Sequence, residues 1–147
     1  MIKAVLDTNV LVSAFLYGDP PLDVLDLAEA GVVEVYTSEE ALLELYAVLS
    51  RDKFAGRLRS LRLSASTIVS LYRGLAVVIT PADAPGVCSD PQDEEFIGIA
   101  LAAGADGIVS GDHHLLDCSE SSPIPVLTPA EFLLAVRDMM KREPPAG

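Results

Sequence analysis

Short apolar runs alternate with stretches of helical period along the whole chain. Residues 2–6 (IKAVL) read as a short buried strand. A polar step at Asp7, Thr8 and Asn9 breaks the apolar pattern, which resumes with helical character to Tyr17. Pro20 and Pro21 open a second helix to about Ala30, for which Gly31 is a good stop. A second strand follows at 32–36 (VVEVY), then a helix from about 39 to 50 capped by Thr37 or Ser38, with Glu in its first turn. Ser64 or Ser66 starts a helix to about Leu75, and 76–80 (AVVIT) is a third strand. Residues 81–92 (PADAPGVCSDPQ) form a loop. A helix from about Pro91 to Ala103 ends at Gly104, and a fourth strand spans 107–110. After a second loop at 118–125, a short strand at 125–128 leads into a final helix from Pro129 to about Lys141.

This alternation predicts an α/β layered fold with a parallel sheet. One domain is expected over 1–140, with 141–147 as a frayed tail. In such sheets, sites form in loops at the C-terminal ends of the strands. Asp7 and Asp112 each follow a predicted strand, so both should emerge on the same rim.

Composition narrows the class. Half of the 147 residues are hydrophobic, which argues against disorder. No apolar run approaches the roughly 18 residues of a membrane span, and the N-terminus has no leader pattern, so a cytoplasmic protein is expected. The two cysteines, Cys88 and Cys118, are too few for a disulfide framework. The formal net charge is −12, a balance that repels nucleic acid at long range. The basic residues are nevertheless concentrated: Arg51, Lys53, Arg57, Arg59, Arg62 and Arg73 are six of the ten, opposed in that stretch by Asp52 alone. A basic band on an acidic body suits a locally anionic partner, and equally a solvated helical face.

Four acids come from four separate elements. Glu44 lies opposite the stripe Leu42, Leu45, Tyr46 and Leu49, beside Glu40; spacing alone favours these acids as the wet edge of an amphipathic helix, whereas the apolar Ala41, Leu43, Ala47 and Val48 leave little of the helix polar and place Glu44 in a crevice instead. Asp90 reads as an N-cap ahead of Pro91, and acids in a helix's first turn are ordinary dipole chemistry. Asp93, however, shares a face with Phe96, Ile97 and Ala100, the face that packs on the sheet. Asp112 follows a Gly after the fourth strand and is also a reasonable N-cap for the residues after it. Brought to one rim, Asp7, Glu44, Asp93 and Asp112 would repel, two like charges at about 4 Å costing roughly 4 kcal/mol near a surface. A cation in the gap, or protonation, relieves that repulsion. Hard oxygen ligands favour Mg²⁺ or Mn²⁺, ions that activate water for attack on phosphorus.

The stretches VLDTNVLVSAF, SEEALLELYAVL, DPQDEEFIGIALAAGADGIVSGDHHLL and IPVLTPAEFL resemble the PIN-domain ribonucleases, most of all the VapC-type toxins of bacterial and archaeal toxin–antitoxin pairs. The resemblance runs from about Ile2 to Leu134 in the family's order. It implies a three-layer α/β/α sandwich around a parallel five-stranded sheet, and a Mg²⁺- or Mn²⁺-dependent endonuclease acting on RNA. By position, Asp7, Glu44, Asp93 and Asp112 match the family's acidic quartet of catalytic and metal-binding residues. Asn9 and Ser110 match its polar supports, and Asp90 an accessory acid. Arg51, Lys53 and Arg57 are candidate RNA contacts. The resemblance also implies a homodimer and a small antitoxin partner. The chain departs from the pattern at His113 and His114, where many relatives carry a basic residue of another kind, and in its acidity.

Other readings compete. A PIN-fold module that no longer cleaves and acts through a protein partner is opposed by the intact quartet. A phosphatase of the haloacid dehalogenase type needs a second Asp where this chain has Asn9, and lacks the lysine, the next one after Lys53 being Lys141. Zinc at His113, His114 and Cys118 fits none of the usual ligand spacings. The tyrosines and phenylalanines mostly fall at core spacings and read as packing, not as base-stacking platforms.

Overall fold

The computed structural model describes residues 1–84, 86, 91–111 and 122–142, without the side chain of Gln92. Strands β1 (Ile2–Leu6), β2 (Val33–Thr37), β3 (Val77–Val78), β4 (Gly107–Val109) and β5 (Val126–Leu127) form one sheet. Its order is β3-β2-β1-β4-β5, and every pair is parallel. The described helices are α1 (Thr8–Leu16), α2 (Pro21–Glu29), α3 (Glu39–Leu49), α4 (Asp52–Leu61), α5 (Ala65–Leu75), α6 (Pro91–Ala103) and α7 (Pro129–Arg142). The parallel, layered α/β fold expected from the sequence is therefore present, with the last helix extending through Arg142.

Parallel strands covered on both faces must be apolar on both faces. Ala4 and Leu6 of β1 join Val33, Val35 and Val109 in one core, with residues of α1, α2, α3, α5 and α7. Val5, Tyr36 and Ile108 face the other way, onto Phe96, Ile97, Ile99 and Ala100 of α6. The sheet is thus the middle of three layers, with most helices on one face and α6 on the other.

Several sequence expectations are resolved at the termini of elements. Gly31 ends α2 with φ +79°, and Val32 N–H reaches back to the Leu27 carbonyl at 3.0 Å, the closure that a left-handed glycine permits. Ser38, the second of the two candidate caps, accepts from Ala41 N–H at 3.1 Å, and Ser64 caps α5 by accepting from Thr67 N–H at 3.1 Å. The third strand is shorter than the apolar run suggests. Only Val77 and Val78 pair with β2, after which the chain crosses α6, where Ala82 N–H donates to the Gly98 carbonyl at 3.0 Å. A Cβ on Gly98 would stand 2.5 Å from the Ala82 carbonyl oxygen, so this crossing requires a glycine.

Helix α3 corrects one expectation. Leu42, Leu45 and Leu49 are buried, but Leu43 is 69% exposed and Tyr46 48%, so the helix is open on one side instead of packed nearly all round. Tyr46 belongs to that open face and not to the core stripe.

Candidate active site

β1 is the central strand, and the chain leaves it in opposite directions: to β2 and β3 on one side, to β4 and β5 on the other. The crevice where an α/β sheet reverses its strand order is its usual binding position. Asp7 stands there, immediately after β1. Its backbone continues the ladder, with its N–H donating to the Val109 carbonyl at 3.0 Å. Its side chain caps α1, Oδ1 accepting from Val10 N–H at 2.8 Å. An Asp at this position satisfies one of the helix's unpaired first-turn amides and places negative charge at the positive end of the dipole.

Ser110 stands at the same level, just after β4. Its N–H donates to the Leu127 carbonyl at 2.8 Å, and its Oγ donates to Asp7 Oδ2. Asp7 is only 3% exposed and Ser110 fully buried. Two residues 103 apart in sequence are thereby joined by a side-chain hydrogen bond at the switch point.

Asp93 is 6% exposed in the first turn of α6, on the face that carries Phe96, Ile97 and Ala100 onto the sheet. Glu94 and Glu95 are only partly buried, as that face assignment requires. Glu44 is half-buried and lines a cleft of about 270 Å³ between α3 and α6, with Glu40, Glu95, Pro91 and Phe96. The same cleft is tied at its edge by Ser38 Oγ, which donates to Glu95 Oε1 at 2.7 Å. Sequence offered Ser38 as a helix cap but not its bond to Glu95; a cap that also grips a second helix leaves no spacing signature.

Asn9 is exposed at the start of α1 and lines a cavity of about 330 Å³ shared with Tyr17, Phe54 and Gly111. Arg51, Lys53 and Arg57 are exposed at and along α4, with Arg57 Nε donating to the Leu16 carbonyl at 2.6 Å. Arg73 is engaged elsewhere, in a two-pronged pair with Glu39 at 2.6 and 2.7 Å that holds the Glu39 carboxyl below its usual range. Asp112, Asp90, His113, His114 and both cysteines lie outside the described residues. Among the described residues the structure joins Asp7 to Ser110, and no three His, Cys, Asp or Glu side chains are grouped so as to share one ion.

The PIN domain family model matches residues 3–114. The chain belongs to the PIN-domain family. Over 145 residues, and 90% of each chain, this PIN domain is 30% identical to Uncharacterized protein MJ1680 of Methanocaldococcus jannaschii. Its structure resembles that of VapBC2 from Rickettsia felis, solved bound to a DNA fragment from their promoter, with a TM-score of 0.55 and 15% identity. It also resembles FitAcB from Neisseria gonorrhoeae, with a TM-score of 0.51 and 18% identity. Each likeness covers 86% of this PIN domain and 98% of the neighbour, and at these identities it is a likeness of fold.

Proposed function

We propose that this PIN domain is a divalent-metal-dependent endoribonuclease and the toxin of a toxin–antitoxin pair. The observation that carries the reading is Asp7, a carboxylate almost completely withdrawn from solvent at the switch point of the sheet. Burying a charged carboxylate is costly unless it is hydrogen-bonded or paired with a cation. Here Val10 N–H and Ser110 Oγ hold both oxygens in a fixed orientation. Fixed, buried carboxylate oxygens suit a hard cation such as Mg²⁺ or Mn²⁺, and Asp93 adds a second buried carboxylate from α6.

In this reading Asp7, Glu44, Asp93 and Asp112 are the ligands and catalytic acids, supported by Asn9, Asp90 and Ser110. The ion, when bound, lowers the pKa of a coordinated water and neutralises charge on the phosphate oxygens. Ser110 holds the Asp7 carboxylate in place, and the cap to α1 keeps it from rotating away. Arg51, Lys53 and Arg57 meet the RNA backbone. The antitoxin is supported by the fold shared with VapBC2 and FitAcB. A homodimer is supported by the exposed apolar residues Leu43 and Tyr46 of α3. No described helix is long and apolar enough to cross a membrane.

A mixed RNA pool incubated with Mg²⁺ or Mn²⁺ tests the proposal. Wild type should cleave it, whereas Asp7→Asn, which keeps an oxygen to cap α1, should fold and leave the pool intact. Failure of wild type to cleave, or equal cleavage by both proteins, refutes the assignment.

A further inference from the structure

We infer that the cavity beside Asn9 is a subsite for one nucleobase of a single-stranded RNA, with Tyr17 as its stacking surface; this rests on the nuclease reading above. The cavity, about 330 Å³, falls at the lower end of the roughly 300–1,000 Å³ typical of small-ligand pockets. Two of its residues, Asn9 and Gly111, follow Asp7 and Ser110 in the chain by two positions and by one, at the same end of the sheet, although neither Asp7 nor Ser110 itself lines the cavity. Two others are aromatic, the exposed Tyr17 and Phe54, which is buried in the core and only 9% exposed; a cation stands near each ring. The Arg57 guanidinium lies 5.5 Å from the centre of the Tyr17 ring, and Lys53 Nζ lies 5.0 Å from that of Phe54.

Such a wall suits a ligand that is both planar and anionic. Bases stack on aromatic rings and on guanidinium planes, and the cations attract the phosphates that join the bases. Asn9 and Ser13 also line the cavity, and amides and hydroxyls of that kind hydrogen-bond base edges. The charge distribution agrees. A chain of net charge −12 places exposed Arg51, Lys53, Arg57 and Arg59 along one helix beside this cavity. Tyr17 is 60% exposed at the end of α1, an unusual position for a ring whose role is packing.

The test is binding of short single-stranded RNA in EDTA at low salt, followed by fluorescence anisotropy. A parallel strand has the same backbone with its bases removed. Tyr17→Ala should weaken binding of the intact strand about tenfold, as expected for loss of one stacked base. It should leave binding of the base-free strand unchanged, and Tyr17→Phe should bind as wild type does. Matching melting midpoints check that the exposed substitution has not disturbed the fold. Equal binding of the intact strand by wild type and Tyr17→Ala overturns the subsite while leaving the nuclease reading standing, and implies another occupant such as a peptide. Equal weakening towards both strands also overturns it. If wild type binds no RNA in EDTA, the subsite is overturned, while the metal-dependent nuclease reading is decided by the cleavage assay above.

Discussion

Tyr72→Phe should make the protein more stable. Tyr72 on α5 is completely buried in the core beneath the sheet, and its hydroxyl has no hydrogen-bond partner among the described residues. A buried hydroxyl without a partner costs about 1–3 kcal/mol. Removing it forfeits the dispersion contacts of one heavy atom, each about 0.1–0.2 kcal/mol, so roughly 0.5 kcal/mol is lost in return. The net gain is about 1 kcal/mol, which in a domain of 147 residues raises Tm by about 2–4 °C. Calorimetric melts at neutral pH measure this directly.

The same variant carries a second signature. Burial pushes the Tyr72 hydroxyl well above its ordinary pKa of 10.0. Above pH 10 the unfolded chain therefore releases this proton and the folded chain does not, so wild type loses stability as pH rises. The loss approaches about 1.4 kcal/mol per pH unit. Phe cannot ionise, and titration of the other tyrosines cancels between the two proteins. The stability gap should thus widen from pH 10 upwards. A lower Tm for Tyr72→Phe at neutral pH, or a gap that stays constant above pH 10, would show that the hydroxyl is satisfied and the reasoning wrong.

Gly98→Ala should destabilise by about 1–3 kcal/mol in chemical denaturation, because the new methyl meets the Ala82 carbonyl at 2.5 Å; unchanged stability would mean that the crossing segment yields freely. Glu131→Gln should lower Tm at neutral pH, with the effect shrinking as pH falls below 4.5. In the folded protein Glu131 accepts from Thr128 N–H at 2.9 Å, which holds its carboxyl below the ordinary 4.5. Its stabilisation is therefore present above that value and lost as pH falls through the lowered one. A penalty independent of pH would refute the assignment. Mg²⁺ or Mn²⁺ should raise the melting midpoint and EDTA return it to the lower value, since an ion that binds the folded state alone stabilises it. Identical midpoints count against the proposed metal centre.

Much of the fold was legible from spacing because the sheet is parallel and buried. Strands such as IKAVL must be apolar where they are buried, Lys3 lying at the less buried start, and Gly31, Ser38 and Ser64 punctuate helices by local chemistry that needs no tertiary context. The placement of Asp93 followed from the same logic, since it shares a helical face with Ile97 and Ala100. What spacing could not show depends on partners distant in sequence. The Ser110–Asp7 bond arises from the adjacency of β1 and β4, and the length of β3 from where β2 ends. The apolar residues of α3 illustrate the limit most clearly. Period alone cannot distinguish Leu42, which is buried, from Leu43, which meets solvent.

The outermost strands, β3 and β5, pair over two residues each. A sheet that tapers so abruptly at its flanks offers almost no template on which a foreign chain could lengthen it. Strand-to-strand addition between copies is disfavoured by this geometry independently of the net charge of −12.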